Sequence, residues 1–225
     1  MARMMILDGN SLVNRAFYAL PPLTSADGLP TNGVHGFLTM LFKLQKEQKP
    51  DYWVVAFDKS KATVRIEQYE GYKAQRKETP ETLRPQFGYL KEILQVMEVP
   101  ILELEGFEAD DIIATVADRA VGQGMEVGIY TGDRDALQLV SPSAKVYLTK
   151  KGITEVECYD EEKLAERYNL GPAQIVDLKG LMGDASDNIP GIPGVGEKTA
   201  LKLLHEYGSV EEVLLHRDEV KGAKL

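Results

Sequence analysis

Five short runs of β-branched, aromatic and aliphatic residues, at Met4–Leu7, Tyr52–Phe57, Ile101–Leu104, Val127–Thr131 and Val146–Thr149, constrain the fold more than any other feature of the chain. Each has the length of a strand. Helical periodicity lies between them. Gly33–Gln48 sets Phe37, Leu38, Leu41, Phe42 and Leu44 at helical spacing, and Glu81–Met97 does the same with Leu83, Phe87, Leu90, Ile93, Leu94 and Met97. Strand and helix in alternation predict an α/β fold over residues 1–150, with a mainly parallel central sheet flanked by helices on both faces.

After Gly152 the pattern changes to one β-like segment, Ile153–Cys158, followed by helices expected at Asp160–Tyr168, Pro172–Met182 and Glu197–Tyr207. Residues 151–225 therefore read as a helical region. Without a repeat or a Gly/Ser linker, the two parts are expected to pack as one body. A chain of 225 residues with 44% hydrophobic content can bury the core this requires. The opening Met4-Met5-Ile6-Leu7 is halted by Asp8 and no apolar run suits a bilayer, so a cytoplasmic location is expected. The single Cys158 excludes an internal disulfide and a thiolate zinc site. No heptad pattern suggests assembly, and a monomer is expected.

Acidic residues follow the apolar runs. Asp8 ends the first, Asp58 follows the second, Asp133 follows the fourth, and Glu108, Asp110 and Asp111 open the helix after the third. Strand carboxyl ends border the ligand crevice of open α/β sheets, so these acids should converge. Taken singly, Glu108, Asp110, Asp133 or Asp135 reads more simply as a helix cap. Jointly the acids repel unless protons or cations intervene. Asp184 and Asp187 follow the Pro172–Met182 helix, where the dipole disfavours anions, and their three-residue spacing suits one shared ion. Oxygen donors without clustered His or Cys select Mg²⁺ or Mn²⁺ over zinc. Two such ions about 4 Å apart stabilise both the attacking and the leaving oxygen in phosphodiester hydrolysis. The net charge of −9 does not oppose a nucleic-acid partner, because setting these nine acids aside leaves 26 acids against 26 basic residues. With three histidines and no matched nucleophile pattern, a Ser-His-Asp site has little support.

Two further stretches point to nucleic acid. From Lys59 to Lys77 six cations, Lys59, Lys61, Arg65, Lys73, Arg76 and Lys77, stand against Glu67 and Glu70, with Tyr69 and Tyr72 interleaved. A long connection of this kind, Lys59 to Pro80, is either functional or disordered. Gly191-Ile192-Pro193-Gly194-Val195-Gly196-Glu197-Lys198-Thr199-Ala200 is a Gly-rich turn between two helices. Glycines let backbone N–H groups approach phosphate, and the helix that follows adds its positive end. Such a helix-hairpin-helix, about 172–207, grips duplex backbone without reading sequence.

These residues resemble the 5′-nuclease (flap endonuclease, 5′-3′ exonuclease) domain family of bacterial DNA polymerase I. The resemblance is carried by Leu7-Asp8-Gly9-Asn10-Ser11, Ala56-Phe57-Asp58, Tyr72-Lys73-Ala74-Gln75-Arg76, Glu108-Ala109-Asp110-Asp111, Gly132-Asp133-Arg134-Asp135 and Gly183-Asp184-Ala185-Ser186-Asp187-Asn188-Ile189-Pro190-Gly191. It implies a magnesium- or manganese-dependent nuclease with two ions per site. Asp8, Asp58, Glu108, Asp110 and Asp111 would surround one ion, and Asp133, Asp135, Asp184 and Asp187 would hold or approach the other. It implies a helical arch at about 59–80, with Lys73 and Arg76 facing the scissile phosphate and Tyr72 near a terminal base. It implies DNA contacts at Gly191, Gly194, Gly196, Lys198 and Thr199, with a potassium ion at the hairpin. The implied substrate is DNA with a 5′ flap, nick or 5′ end, including RNA primer strands, met in primer removal and repair.

Two departures stand out. Ile66 occupies a place where the family often has His, and the sequence ends at Leu225, where the family's domain continues with more helix and then polymerase modules. Polymerisation is therefore not expected. A topoisomerase-primase type of carboxylate site is the enzymatic alternative, and it leaves the hairpin, Asp184 and Asp187 without a role. A non-catalytic junction binder, its acids serving only as caps, is the other.

Overall fold

The computed structural model describes residues 1–59, 63–153 and 155–220. Lys61, Leu225 and part of the expected Ile153–Cys158 segment lie outside the described residues. The first strand, β1 (Arg3–Asp8), runs into α1 (Gly9–Ala19), and α2 (Asn32–Gln48) leads to β2 (Tyr52–Ala56). Next come α3 (Val64–Gln68), α4 (Arg84–Val96), β3 (Ile101–Leu102), α5 (Ala109–Gly122) and β4 (Glu126–Thr131). A 3₁₀ turn at Arg134–Leu139 precedes β5 (Ala144–Thr149) and β6 (Val156–Tyr159). The helical region holds α6 (Glu161–Tyr168), α7 (Gln174–Met182), a small hairpin of β7 (Gly183–Asp184) and β8 (Ile189–Pro190), then α8 (Glu197–Tyr207) and α9 (Val210–Leu215).

The sheet order is β3-β2-β1-β4-β5-β6, parallel throughout except for the last pair. The expected mainly parallel α/β sheet is present. Alternation along the strands divides the core. Met5, Leu7, Val55, Phe57 and Tyr130 pack with α1, α2 and α4, while Ile6, Val54, Ala56, Ile129 and Val146 pack with α5 and the C-terminal helices. Both faces are covered, as continuous apolar strands require. No helix among the described residues is long and apolar enough to cross a membrane.

The departures from expectation are local. Residues 156–159, assigned from sequence to the helical region, add an antiparallel edge strand to β5, so the sheet extends beyond the expected limit at 150. The third strand keeps only two residues. Phe42, expected on the buried stripe of α2, is 51% exposed, whereas Phe37 and Leu41 are fully buried. Helix α1 follows the first strand with no intervening loop, because Asp8 is its N-cap and accepts from the Ser11 N–H at 2.9 Å. At β1 the order reverses, with β2 on one side and β4 on the other. That is the topological switch point where such sheets open a crevice, and Asp8 stands at its lip.

A candidate metal site under a basic arch

The acids start from ordinary local roles. Asp8 is buried at 4% exposure, with Oδ1 accepting from Ser11 N at 2.9 Å and Oδ2 from Thr131 Oγ1 at 2.6 Å. Asp58 Oδ1 accepts from the Ala109 N–H at 2.7 Å, at the head of α5. Glu108 and Asp111 close a capping box on the same helix, and Asp133 caps the 3₁₀ turn by accepting from Asp135 N at 2.9 Å. Capping and convergence do not compete here. The capped turns all begin at the strand carboxyl ends, so satisfying their N–H groups brings the carboxylates to one crevice.

That proximity has an electrostatic cost. Burial pushes the Asp8 carboxyl up to about 6, against hydrogen bonds that lower it, and the charges of Asp58 and Asp133 add to the rise. Asp110 is pushed up to about 7 by enclosure, then by Asp8 and Asp133. Its side chain is exposed in area, so the walls of the cleft rather than a dry contact account for its enclosure. The cleft, about 870 Å³, is lined by Asp8, Asp58, Glu108, Asp110 and Asp133 below and by Tyr72, Lys73 and Arg76 above. A hard divalent cation fits this donor chemistry, since it would relieve the repulsion among oxygen-only ligands. The arrangement is not a finished cage. Among the described residues no group of three or more His, Cys, Asp or Glu side chains is placed to hold an ion.

Protein cations stand on the remaining acids. The expected helical arch is α-helical only at α3 among its described residues; the chain then descends through turns, with Lys73 in the left-handed region at φ 56°. In place of the expected arch helix, Lys73 and Arg76 are joined by a turn hydrogen bond, Arg76 N to Lys73 O at 3.0 Å. The two cations still act together. Lys73 Nζ lies 2.7 Å from Glu108 and 3.9 Å from Asp187, and Arg76 Nη2 lies 2.7 Å from Asp187. Tyr72 is buried, with its hydroxyl between Glu108 at 2.9 Å and Asp187 at 3.0 Å; burial, then its bond to Glu108, raises its pKa. Ile66 is 37% exposed on α3.

Arg65 was legible only as one charge of the basic segment, yet it makes a fork to Asp111, with both bonds at 2.7 Å, and reaches Glu108 at 3.7 Å. That fork, the largest cause, holds the Asp111 carboxyl below its usual range. Lys179 was missed entirely. Its Nζ lies 2.7 Å from both Asp135 and Asp184, and a side chain on α7 that bridges acids from two separate elements carries no motif to reveal it. Burial raises Asp135 despite Lys179, whereas Asp184 is held down at about 2, because bonds from Lys179 and Ser186 outweigh its burial. Asp184 and Asp187, expected to share one ion, thus face different protein cations. A second hollow of about 340 Å³, lined by Ser11, Gly132, Asp133, Arg134, Lys179 and Ser186, adjoins the cleft through Ser11 and Asp133.

The hairpin joins α7 to α8 through β7 and β8. Gly191 is required by packing, since a Cβ there would stand 2.2 Å from the Met182 carbonyl carbon and 2.3 Å from Gly183 N. Gly194 is required by conformation, at φ +83°, with open space around it. Gly196 is the extended N-cap of α8 and is also open, and Lys198 and Thr199 lie in the first turn of α8, the lysine exposed. The hairpin therefore presents an open backbone surface at the positive end of a helix.

Residues 3–169 match the family described as 5′-3′ exonuclease, N-terminal resolvase-like domain, and residues 170–225 match 5′-3′ exonuclease, C-terminal SAM fold. The chain belongs to the 5′-3′ exonuclease family. It is 52% identical over 223 residues to DNA polymerase I of Bacillus caldotenax, covering 99% of this chain and 25% of that protein. The chain thus spans about a quarter of the length of that relative. Among solved structures, the bacteriophage T5 5′-exonuclease with bound zinc matches at a TM-score of 0.75 and 26% identity, over 98% of this chain and 81% of that one. A bacteriophage T5 flap endonuclease, in a pseudo-enzyme-product complex with DNA and metal ions, matches at 0.74 and 25%, over 98% and 80%. The 5′-3′ exonuclease fold accounts for the sheet, the crevice at β1 and the helical region.

Proposed function

We propose that this chain is a divalent-metal-dependent 5′-nuclease that hydrolyses phosphodiester bonds at 5′ flaps, nicks and 5′ ends of DNA, including RNA primer strands, in primer removal and repair. The observation that carries the reading is the juxtaposition of a crowded carboxylate crevice with Lys73 and Arg76 directly above it. The family supports it: the relatives are DNA polymerases I, and the T5 structures hold metal ions or metal ions with DNA. Asp8, Asp58, Glu108 and Asp110 would hold one ion and Asp133, Asp135, Asp184 and Asp187 a second, with Mg²⁺ or Mn²⁺ favoured by the all-oxygen donor set; Asp111, expected beside the first ion, is left out because both its oxygens are taken by Arg65. When bound, such ions polarise water and screen phosphate charge.

The chain's own residues supply the rest. Thr131 and Ser11 fix Asp8, and the Ala109 N–H fixes Asp58, so two donors are oriented before any cation arrives. Lys73 and Arg76, now held by Glu108 and Asp187, are displayed where a scissile phosphate entering the cleft would meet them, and their charge would oppose the negative charge that grows on its oxygens. Tyr72 positions the base of the turn that carries Lys73; the stacking on a terminal base expected of it is not available in this arrangement, because the ring is buried and Lys73 Nζ lies 4.8 Å from its centroid. Gly191, Gly194, Gly196, Lys198 and Thr199 hold duplex backbone, with potassium at the hairpin carbonyls as part of the same proposal. We place the working division at a nuclease core, 1–150, and a DNA-binding region, 151–225, with β6 shared between them.

One observation favours a second reading. Asp8, Asp58 and Asp133 all cap backbone N–H groups, which is what a non-catalytic junction binder would retain. A 5′-labelled flap duplex incubated with and without Mg²⁺ separates the two. Cleavage near the junction of single and double strand, dependent on Mg²⁺, is expected; binding without cleavage at any Mg²⁺ concentration would leave the junction binder.

A further inference from the structure

The turn that displays Tyr72 and Lys73 has little internal scaffolding. It is closed by Tyr72 N to Tyr69 O at 2.9 Å, Ala74 N to Gly71 O at 3.2 Å and Arg76 N to Lys73 O at 3.0 Å, and it passes through the left-handed region at Lys73. Its shape therefore depends on what it rests upon. It rests on the β7–β8 hairpin. Asn188 Nδ2 donates to Gly71 O at 2.7 Å, Asn188 Oδ1 accepts from Gln75 Nε2 at 2.8 Å, and Lys73 N donates to Asp187 O at 2.9 Å. Gly71 and Gln75 flank Tyr72, Lys73 and Ala74, so one side-chain amide grips both sides of the turn. Both ends of that amide are satisfied in this orientation, with the donor toward a carbonyl and the acceptor toward an NH₂. Asn188 itself sits at φ 57°, a conformation asparagine tolerates better than most residues.

We propose that Asn188 is a positioning residue that staples the Gly71–Gln75 turn to the β7–β8 hairpin, and thereby sets Lys73 over Glu108 only while the arch is docked on the helical region. The catalytic consequence rests on the nuclease reading above; the docking does not. Aspartate at 188 would keep the shape and the acceptor but turn a carboxylate toward the Gly71 carbonyl, beside Asp187. Glycine would keep the backbone conformation and lose both bonds.

The test uses the full chain with Asn188→Asp, Asn188→Gly, Gln75→Ala and the Gln75→Ala/Asn188→Gly double variant. Three quantities are read: tryptic cutting after Lys73 and Arg76 without DNA, single-turnover cleavage of a 5′-flap duplex in Mg²⁺ at saturation, and flap affinity in Ca²⁺. Asn188→Asp and Asn188→Gly are expected to raise tryptic cutting at those two sites several-fold and to slow single-turnover cleavage roughly five- to tenfold, as for loss of one or two hydrogen bonds. Affinity should stay unchanged. Gln75→Ala should do less, and the double variant no more than Asn188→Gly, because the two residues share one contact. Tryptic cutting at the wild-type rate overturns the staple. So does cutting that rises throughout the chain, or a flap affinity that falls in step with the rate. Should the wild-type protein cut no flap, the nuclease reading fails, and the tryptic comparison still decides the staple by itself.

Discussion

Lys73 and Arg65 are both arch cations, but they meet different fates in the cleft. The Lys73 side chain is 19% exposed and its Nζ faces Glu108, a residue that would hold an ion, so an entering phosphate would compete for it. Lys73→Ala should lower single-turnover cleavage by roughly 10²-fold, comparable to removing one preorganised donor, while flap affinity changes much less. A quenched-flow measurement at saturating enzyme checks this, with Lys46→Ala on α2 as the control; equal rates for the two variants would assign Lys73 to electrostatic guidance alone. Arg65 is committed to Asp111 through both of its outer nitrogens. At 36% exposure the fork is worth only about 1 kcal/mol in stability. Arg65→Ala should therefore leave the melting temperature within a few degrees while loosening α3 from α5, read as faster hydrogen exchange over 63–68. A fall of ten degrees or more would mean that the fork holds the fold itself. The resemblance had set Lys73 apart from the other cations of the stretch, whereas the commitment of Arg65 to Asp111 was not legible in the sequence, because their separation of 46 residues carries no local signal.

At the scale of elements, the hairpin shows why glycines of one motif are not equivalent. Gly191→Ala would drive a methyl group into the backbone of Met182 and Gly183, a collision that no rotamer relieves, and should cost about 1–3 kcal/mol, seen as a lowered melting temperature. An unchanged melting temperature would show that the β7–β8 crossing is looser than described. Gly194→Val should weaken both folding and DNA binding, since valine is strained at φ +83°. Gly196→Val meets open space at an ordinary φ of −100°, so the fold should survive while affinity for every duplex sequence falls alike. Fluorescence anisotropy on several unrelated duplexes checks this, and a loss confined to one sequence would contradict backbone binding. Elements are also capped across the fold in ways no local pattern announces. The N-terminus of α2 receives no side-chain cap from its own Thr31 and is capped by Gln86 of α4, whose Oε1 accepts from Gly33 N at 2.7 Å.

For the whole molecule, the proposed dependence on a small hard ion has a direct consequence. Ca²⁺ is larger and tolerates irregular geometry, so it should support flap binding without efficient cutting, and Mg²⁺ added afterwards should start the reaction. Rapid cleavage in Ca²⁺ alone would count against the mechanism. The sequence by itself determined the alternation of strand and helix, the parallel sheet and the glycine-rich hairpin, because each is written in local periodicity or glycine placement, and it marked Asp8, Asp58 and Asp133 by their position just past an apolar run. It read Ile153–Cys158 as β-like without joining it to the sheet, and it set Phe42 on the buried stripe of α2, since an edge pairing and an exposed aromatic depend on neighbours that periodicity does not name. Only the tertiary structure decided which cation meets which acid. Arg65 lies 46 residues from Asp111, Lys73 lies 35 from Glu108 and Gln75 lies 113 from Asn188. Such pairings are fixed by the strand order around β1, by the packing of α5 against the sheet and by that of α7 against the 3₁₀ turn, and charge at that separation along the chain carries no record of its partner.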